Sequence, residues 1–128
     1  MKDIVLEWVE KAEGDYATAV RESGVVLGKR NSDIICFLAQ QCVEKYLKAC
    51  LQAREITFDR THDLVVLLDL CVGYYPLWES WRTSFRRLST YAVEFRYPGE
   101  WSSPEDARTA INIATAFRAD ARAVLAME

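Results

Sequence analysis

Four polar side chains follow one another at helical spacing inside an otherwise apolar segment of the chain. Gln41, Glu44, Lys45 and Lys48 occupy positions i, i+3, i+4 and i+7, so they project from one narrow face of a helix. Ammonium and amide groups donate hydrogen bonds to phosphate, and Glu44 can hold Lys48 by pairing across four residues. The spacing indicates either a site for a phosphate or nucleotide sugar or a solvated helix face, and it leaves both interpretations open.

The single histidine of the chain, His62, lies next to Asp63 just before an apolar run. Imidazole changes its charge easily near neutral pH, so His62 and Asp63 are candidates for a binding pair that faces the same groove as the polar stripe. The competing interpretation is that Thr61, His62 and Asp63 cap the helix that follows. We favour capping, and one segment can serve both roles.

Positive charge is concentrated near the end of a later helix, where four arginines between residues 81 and 97 are opposed by one glutamate. Tyr91 and Tyr97 can stack on a nucleotide base while Arg96 binds a phosphate through two N–H groups. Alternatively, Tyr97 and the Pro-Gly pair after it end the helix, and Arg96 pairs with an acid on a neighbouring helix. We favour this structural alternative.

Hydrophobic periodicity predicts five helices, and no segment alternates as a strand does. The predicted helices are 3–20, 33–53, a shorter one from a Thr61 cap to Cys71, one from Trp78 to Phe95 that stops at Tyr97-Pro98-Gly99, and one from a Ser103 cap to Leu125. We therefore predict an all-α chain, one domain over residues 1–128, folded as an antiparallel up-and-down four-helix bundle with an additional short helix.

The second helix is predicted to be central because it is apolar around more than half of its circumference. Phe37, Leu47 and Leu51 add a second apolar row to the one that starts at Ile35. On the first helix, one buried stripe is predicted from Val5 to Val20. The tryptophans are expected in the core or at a dimer surface, and they include Trp78, Trp81 and Trp101.

Charge and hydropathy exclude several classes of protein. Sixteen basic and nineteen acidic residues give a net charge of -3, which argues against a dedicated duplex-binding protein. Apolar runs stop well short of the roughly 20 residues of a membrane-spanning helix. Charges interrupt the first ten residues, unlike a secretory signal. We therefore expect a cytoplasmic protein without a membrane segment.

The inventory of reactive residues is equally restrictive. No close C-x-x-C pair occurs among the four cysteines, Cys36, Cys42, Cys50 and Cys71, and the chain has one histidine that could complete a metal site. We therefore expect buried reduced thiols and no metal site. Neither glycine-rich phosphate loop is present, and no nucleophile elbow accompanies His62. No cofactor is predicted, and side chains would have to bind any nucleotide.

Four short motifs in a fixed order cover almost the whole chain. They are Trp8-x-x-x-Ala12-x-x-Asp15-Tyr16, the Gln-Gln-x-x-Glu-Lys-x-x-Lys pattern within residues 37–49, Thr61-His62-Asp63-Leu64, and Tyr91 through Phe95-Arg96-Tyr97-Pro98. Each motif is weak alone, but the ordered set is specific and resembles the HEPN domain of prokaryotes. The resemblance implies a helical bundle, commonly a homodimer, that often acts with a minimal nucleotidyltransferase encoded beside it.

Ribonuclease members of that family carry an arginine followed after four to six residues by a histidine. This chain departs from the pattern, since one residue separates Arg60 from His62, seven separate Arg54 from His62, and no histidine follows the later arginines. Without a positioned imidazole, the chain lacks the group that usually transfers the proton at the RNA 2'-hydroxyl.

Three hypotheses follow from the residues and the resemblance. The first is a non-enzymatic, homodimeric partner of a minimal nucleotidyltransferase, in a two-component or toxin-antitoxin module, with a nucleotide as ligand. The second is an RNase toxin of the same fold that acts on RNA through a degenerate site built on His62 and Arg96. The third is a scaffold protein whose additional apolar residues serve only to form an oligomer.

Overall fold

Five α-helices dominate residues 2–94 and 97–127, which are the residues that the computed structural model describes. The helices are α1 (Asp3–Ser23), α2 (Ser32–Ala53), α3 (Leu64–Cys71), α4 (Arg82–Glu94) and α5 (Pro104–Val124), with short 3₁₀ helices at Leu27–Lys29 and Pro76–Trp81. No strand occurs in these ranges. The predicted all-α class and antiparallel bundle with an additional short helix are confirmed.

Helix α2 occupies the centre of the bundle and packs against α1, α3, α4 and α5. Two residues predicted to be buried are instead exposed: Phe37 on α2 retains 46% of its accessible surface and Val20 on α1 retains 43%. Their neighbours Cys36 and Ala19 are fully buried. Adjacent residues of a helix point about 100° apart, so the inward positions of Cys36 and Ala19 turn Phe37 and Val20 towards solvent.

Side-chain caps fix the starts of α2 and α5, and the cap of α5 is the predicted Ser103. The Asn31 side chain accepts a hydrogen bond from the Ile34 backbone N–H at 3.0 Å. At α5, Ser103 and Asp106 form a capping box, in which each side chain accepts from the backbone N–H of the other residue. Pro104 stands at the first position of α5, where its missing N–H is of no consequence.

The predicted capping of α3 by residues 61–63 is confirmed for Asp63, whereas a cap at Thr61 itself is two residues too early. Asp63 is the N-cap, and its Oδ1 accepts from the backbone N–H groups of Val65 and Val66 at 2.9 and 3.3 Å. The Thr61 hydroxyl instead accepts from the Asp63 N–H at 3.1 Å. Asp63 takes the cap because it directly precedes the first helical residue, where its carboxylate reaches two free N–H groups.

The start of the fourth predicted helix is also corrected. Residues Pro76–Trp81 form a 3₁₀ helix, and the α-helix begins only at Arg82. A 3₁₀ helix has three residues per turn, so it places Trp78 and Trp81 on the same face, three residues apart. The predicted end at Phe95 lies outside the described residues.

Phe117 of α5 is the centre of an aromatic cluster that joins α4 and the 3₁₀ segment to α5. Its ring lies 5.0 Å from Trp78, 5.5 Å from Trp81 and 5.0 Å from Phe85, in edge-to-face arrangements. Trp78 is buried, as predicted for a core residue, whereas Trp101 keeps 76% of its surface exposed.

All four cysteines are free and buried, which confirms their predicted role as small core residues. Burial raises the pKa of Cys36 to about 11 and the pKa values of Cys42 and Cys71 to about 12. These thiols therefore stay protonated and unreactive near neutral pH. In the described residues, no helix is long and apolar enough to cross a membrane.

A polar hub around Glu13 ties α1 to α2 and α5. Arg118 makes two hydrogen bonds of 2.6 Å to the Glu13 carboxylate, and the Tyr46 hydroxyl donates a third at 2.6 Å. Arg122 donates to the Tyr46 oxygen at 3.2 Å. The hydrogen bonds from Arg118 are the largest of the causes that lower the pKa of Glu13, and burial raises the pKa of Tyr46. The hub therefore favours an ionised Glu13 in the folded chain.

Glu13→Gln should lower the free energy of unfolding by about 1–2 kcal/mol near pH 7, because hydrogen bonds to a charged group are lost from a partly exposed site. A carboxylate with a lowered folded pKa stabilises the fold above its unfolded pKa, and this contribution disappears as the pH falls through the folded pKa. The deficit of the variant should therefore shrink in acid. Urea unfolding near pH 7 and near pH 3 measures both effects.

The matched control is Glu10→Gln, one helical turn earlier on the exposed surface of α1. Its unfolding curve should coincide with that of the unmodified chain. Equal stability of the Glu13 and Glu10 variants near pH 7 would show that the hub contributes nothing to folding.

Candidate functional site

The polar stripe of α2 faces α1 and the loop before α3 rather than open solvent. The side chains of Glu44 and Lys48 are only 3% and 7% exposed. Lys45 is about one-fifth exposed and pairs with Asp15 of α1 at 2.5 Å. A solvated helix face is therefore the wrong interpretation of these residues, since their charged groups are enclosed and paired.

Glu44 is the centre of a buried cluster that also includes Gln40, Lys48 and His62, called the Glu44 cluster below. Its Oε2 accepts from Lys48 Nζ at 3.0 Å, and its two oxygens lie 3.1 and 3.0 Å from His62 Nδ1. Gln40 Nε2 is 3.3 Å from Glu44 Oε1. A buried carboxylate is costly unless it is paired and hydrogen-bonded, and these partners meet that requirement.

His62 is the member of the Glu44 cluster that lies at the protein surface. Its side chain is 84% exposed, although Nδ1 contacts the buried carboxylate of Glu44. The backbone carbonyl of His62 accepts from Gln40 Nε2 at 3.1 Å, so the loop is held as well as the ring. When Nδ1–H donates to Glu44, Nε2 is left as an acceptor that can take a proton or a ligand hydrogen bond.

The other donors of the stripe already have partners inside the protein. Gln41 Nε2 donates to Gln40 Oε1 at 2.7 Å, which extends the Glu44 cluster along α2. The Lys48 ammonium lies 5.3 Å from the centre of the Trp8 ring, a cation–π contact in addition to its ion pair. A phosphate bound by Lys45 or Lys48 would have to compete with these contacts.

Three further predicted site residues, Asp63, Tyr91 and Tyr97, are not members of the Glu44 cluster. Asp63 follows His62 in the chain, but its carboxylate caps α3. Tyr91 is 8% exposed and its pKa is raised by burial, with Arg87 and Asp106 among its charged neighbours. Tyr97 is 63% exposed. Arg96 lies outside the described residues, and a ligand-binding role for this set stays a prediction.

Sequence reasoning missed two members of the site. The first is Gln40, which donates hydrogen bonds to Glu44 and to the His62 backbone carbonyl. Gln40 stands four residues before Glu44, and Lys48 stands four residues after it. That spacing was the available signal, since residues at i and i+4 are neighbours on a helix. Trp8 was assigned to the apolar stripe of α1, and nothing in the sequence indicated that its ring covers Lys48.

No group of three or more histidine, cysteine, aspartate or glutamate side chains is arranged to hold a metal ion within ranges 2–94 and 97–127. The geometry of the Glu44 cluster offers an oriented imidazole and its buried carboxylate. Such a pair can bind a ligand or move a proton.

Comparison with known families identifies this helical bundle and its central polar helix as a HEPN domain. The model of the HEPN domain family matches residues 5–124, so the chain belongs to the HEPN family. The crystal structure of ST0689, an archaeal HEPN homologue, is similar over 96% of this chain and 98% of that one, with 25% sequence identity and a TM-score of 0.70. No curated protein matches the chain. The resemblance inferred from the motifs is confirmed.

Lys48→Met should destabilise the fold by about 3–5 kcal/mol, because it leaves the buried Glu44 carboxylate without its ammonium partner. The double variant Glu44→Gln/Lys48→Met should recover most of that loss, since no unpaired charge then remains. Chemical denaturation of the two variants and the unmodified chain gives the difference. A double variant that is less stable than Lys48→Met alone would contradict the proposed pairing.

Proposed function

We propose that this chain is a homodimeric HEPN partner of a minimal nucleotidyltransferase, and that the Glu44 cluster presents His62 to a nucleotide ligand. The observation that carries the ligand site is an 84% exposed imidazole bonded to a 3% exposed carboxylate. Capping of α3 does not account for this arrangement, because Asp63 alone supplies the cap. Buried ion pairs generally contribute little net stability compared with apolar residues of similar size. A positioning role for His62 therefore explains the Glu44–Lys48 pair better than stability does.

The outer face of α3 supports the proposal of a homodimer or partner surface. Val66 and Leu70 are 47% and 37% exposed and stand one helical turn apart. The opposite face of the same helix is buried, with Leu64, Leu67, Leu68 and Cys71 in the core. A helix that is apolar on both faces suits burial on both sides. This surface begins directly after His62, so a partner on it would border the ligand site.

The second candidate function is RNA cleavage, and the same contact favours it. Glu44 holds His62 Nδ1, so Nε2 can act as a general base towards an RNA 2'-hydroxyl. The proposal ranks below ligand binding because the arginine and histidine spacing of the ribonuclease members is missing. Arg96, its other predicted member, lies outside the described residues.

His62→Ala should weaken binding of the nucleotide by about tenfold, the contribution of one hydrogen bond to a partly charged group. Its melting temperature should fall modestly, because Glu44 loses one hydrogen-bond partner but keeps Lys48 and Gln40. Isothermal calorimetry with ATP, CTP, GTP and UTP measures affinity, and Arg60→Ala is the matched control from the same exposed loop. The control should bind as the unmodified chain does.

Two outcomes would overturn the proposal. One is the absence of nucleotide binding in calorimetry together with a pull-down from the source cell that recovers no nucleotidyltransferase. The other is cleavage of a generic RNA by the purified protein that disappears in His62→Ala and persists in Arg60→Ala, which would establish the ribonuclease instead.

A further inference from the structure

A concave region lies where the N-terminal ends of α2 and α5 meet. It consists of two adjoining cavities of about 200 and 370 Å³, both lined by Arg30 and Pro104. The Glu44 cluster is elsewhere, since Asp33 in the lining precedes Glu44 by eleven residues, about 16 Å along α2. We call this region the α2–α5 groove.

Three cations line the α2–α5 groove, namely Lys29, Arg30 and Arg108. None of them forms an ion pair with another residue in ranges 2–94 and 97–127. Arg30 Nε donates to the Val25 carbonyl at 3.0 Å, which orients the guanidinium and leaves its terminal amino groups for a two-pronged contact.

Two carboxylates near the α2–α5 groove, those of Asp33 and Glu22, accept hydrogen bonds from backbone N–H groups. Asp33 Oδ1 accepts from the Ser102 backbone N–H at 2.7 Å, and Glu22 Oε2 accepts from the Asn31 backbone N–H at 2.9 Å. These bonds hold both acids against backbone donors rather than against the three cations. These two carboxylates therefore do not occupy the N–H donors of Lys29, Arg30 and Arg108, which can bind an anion.

A buried hydroxyl in the lining also lacks a good partner. Ser102 is 8% exposed, yet its Oγ makes no hydrogen bond within the described part of the chain. The Cys36 thiol beside it is a weak partner at best. The hydroxyl oxygen is shielded from solvent, so polar contacts to a ligand in the groove would come from the three cations and not from Ser102.

An exposed aromatic ring completes the chemistry of the region. Trp101 lines the larger cavity and is 76% exposed, and Leu27 in the same lining is 59% exposed. Indole rings stack on nucleobases and contribute strongly to binding. Guanidinium groups with available terminal N–H donors, together with an exposed indole, suit a ligand that joins a phosphate to a flat ring.

We propose that the α2–α5 groove binds a nucleoside monophosphate, with the phosphate on Arg30 and Arg108 and the base on Trp101. An acidic peptide would use the same cations, but the cavities have the volume of a small-molecule site rather than of an extended surface. The proposal goes beyond the role of His62 and does not depend on it.

Calorimetry with AMP tests the α2–α5 groove, with adenosine, inorganic phosphate and polyglutamate as comparison probes. Arg30→Ala and Trp101→Ala should each weaken AMP binding by about fivefold or more, the lower end of base stacking and charge-assisted contacts. His62→Ala and Arg60→Ala should leave it within about twofold. NMR amide shifts caused by AMP should centre on residues 27–33 and 101–108, and melting curves check that each variant is folded.

Four results would overturn this proposal. They are no AMP binding at millimolar concentration, adenosine binding as tightly as AMP, tighter binding of polyglutamate at the same residues, and AMP binding that is lost in His62→Ala but kept in Arg30→Ala. The last result would support the Glu44 cluster as the nucleotide site, so the two proposals fail separately.

Discussion

The structure depends on one electrostatic constraint, which is that a central, nearly dehydrated helix carries a carboxylate and an ammonium group. Glu44 and Lys48 satisfy each other at 3.0 Å, and the remaining bonding capacity of Glu44 is taken up by Gln40 and His62. A charge in such surroundings without a partner would be prohibitively costly. The loop before α3 must therefore stay where His62 meets Glu44, and this requirement places an imidazole at the surface in a fixed orientation.

Polar and aromatic contacts elsewhere hold the surrounding helices together. The Glu13 hub joins α1 to α2 and α5 on one side of the bundle, and the Phe117 cluster joins α4 to α5 on another. These contacts fix the helices that enclose Lys48, among them α1 with Trp8 over the ammonium group. A site built on helices held in this way keeps its geometry before any ligand arrives, which lowers the entropic cost of binding.

Helix periodicity was sufficient to predict the five helices and the central place of α2, because apolar spacing reflects burial directly. The cap at Ser103 was predictable, whereas at α3 two acceptors lie within three residues and the sequence did not decide between Thr61 and Asp63. The polar stripe was found from its spacing, whereas its environment was not, because pairing of Lys45 with Asp15 is a contact between distant parts of the chain. The α2–α5 groove was not found because its arginines and Trp101 come from separate segments.

The central claim is that a buried Glu44 carboxylate holds His62 through Nδ1 and leaves Nε2 as the free acceptor. The most direct test is long-range ¹⁵N–¹H NMR of the neutral His62 ring, which reports which ring nitrogen carries the proton. We expect a protonated Nδ1 and an unprotonated Nε2 in the unmodified chain, and loss of this preference in Glu44→Gln. A ring protonated mainly on Nε2, unchanged by Glu44→Gln, would contradict the account.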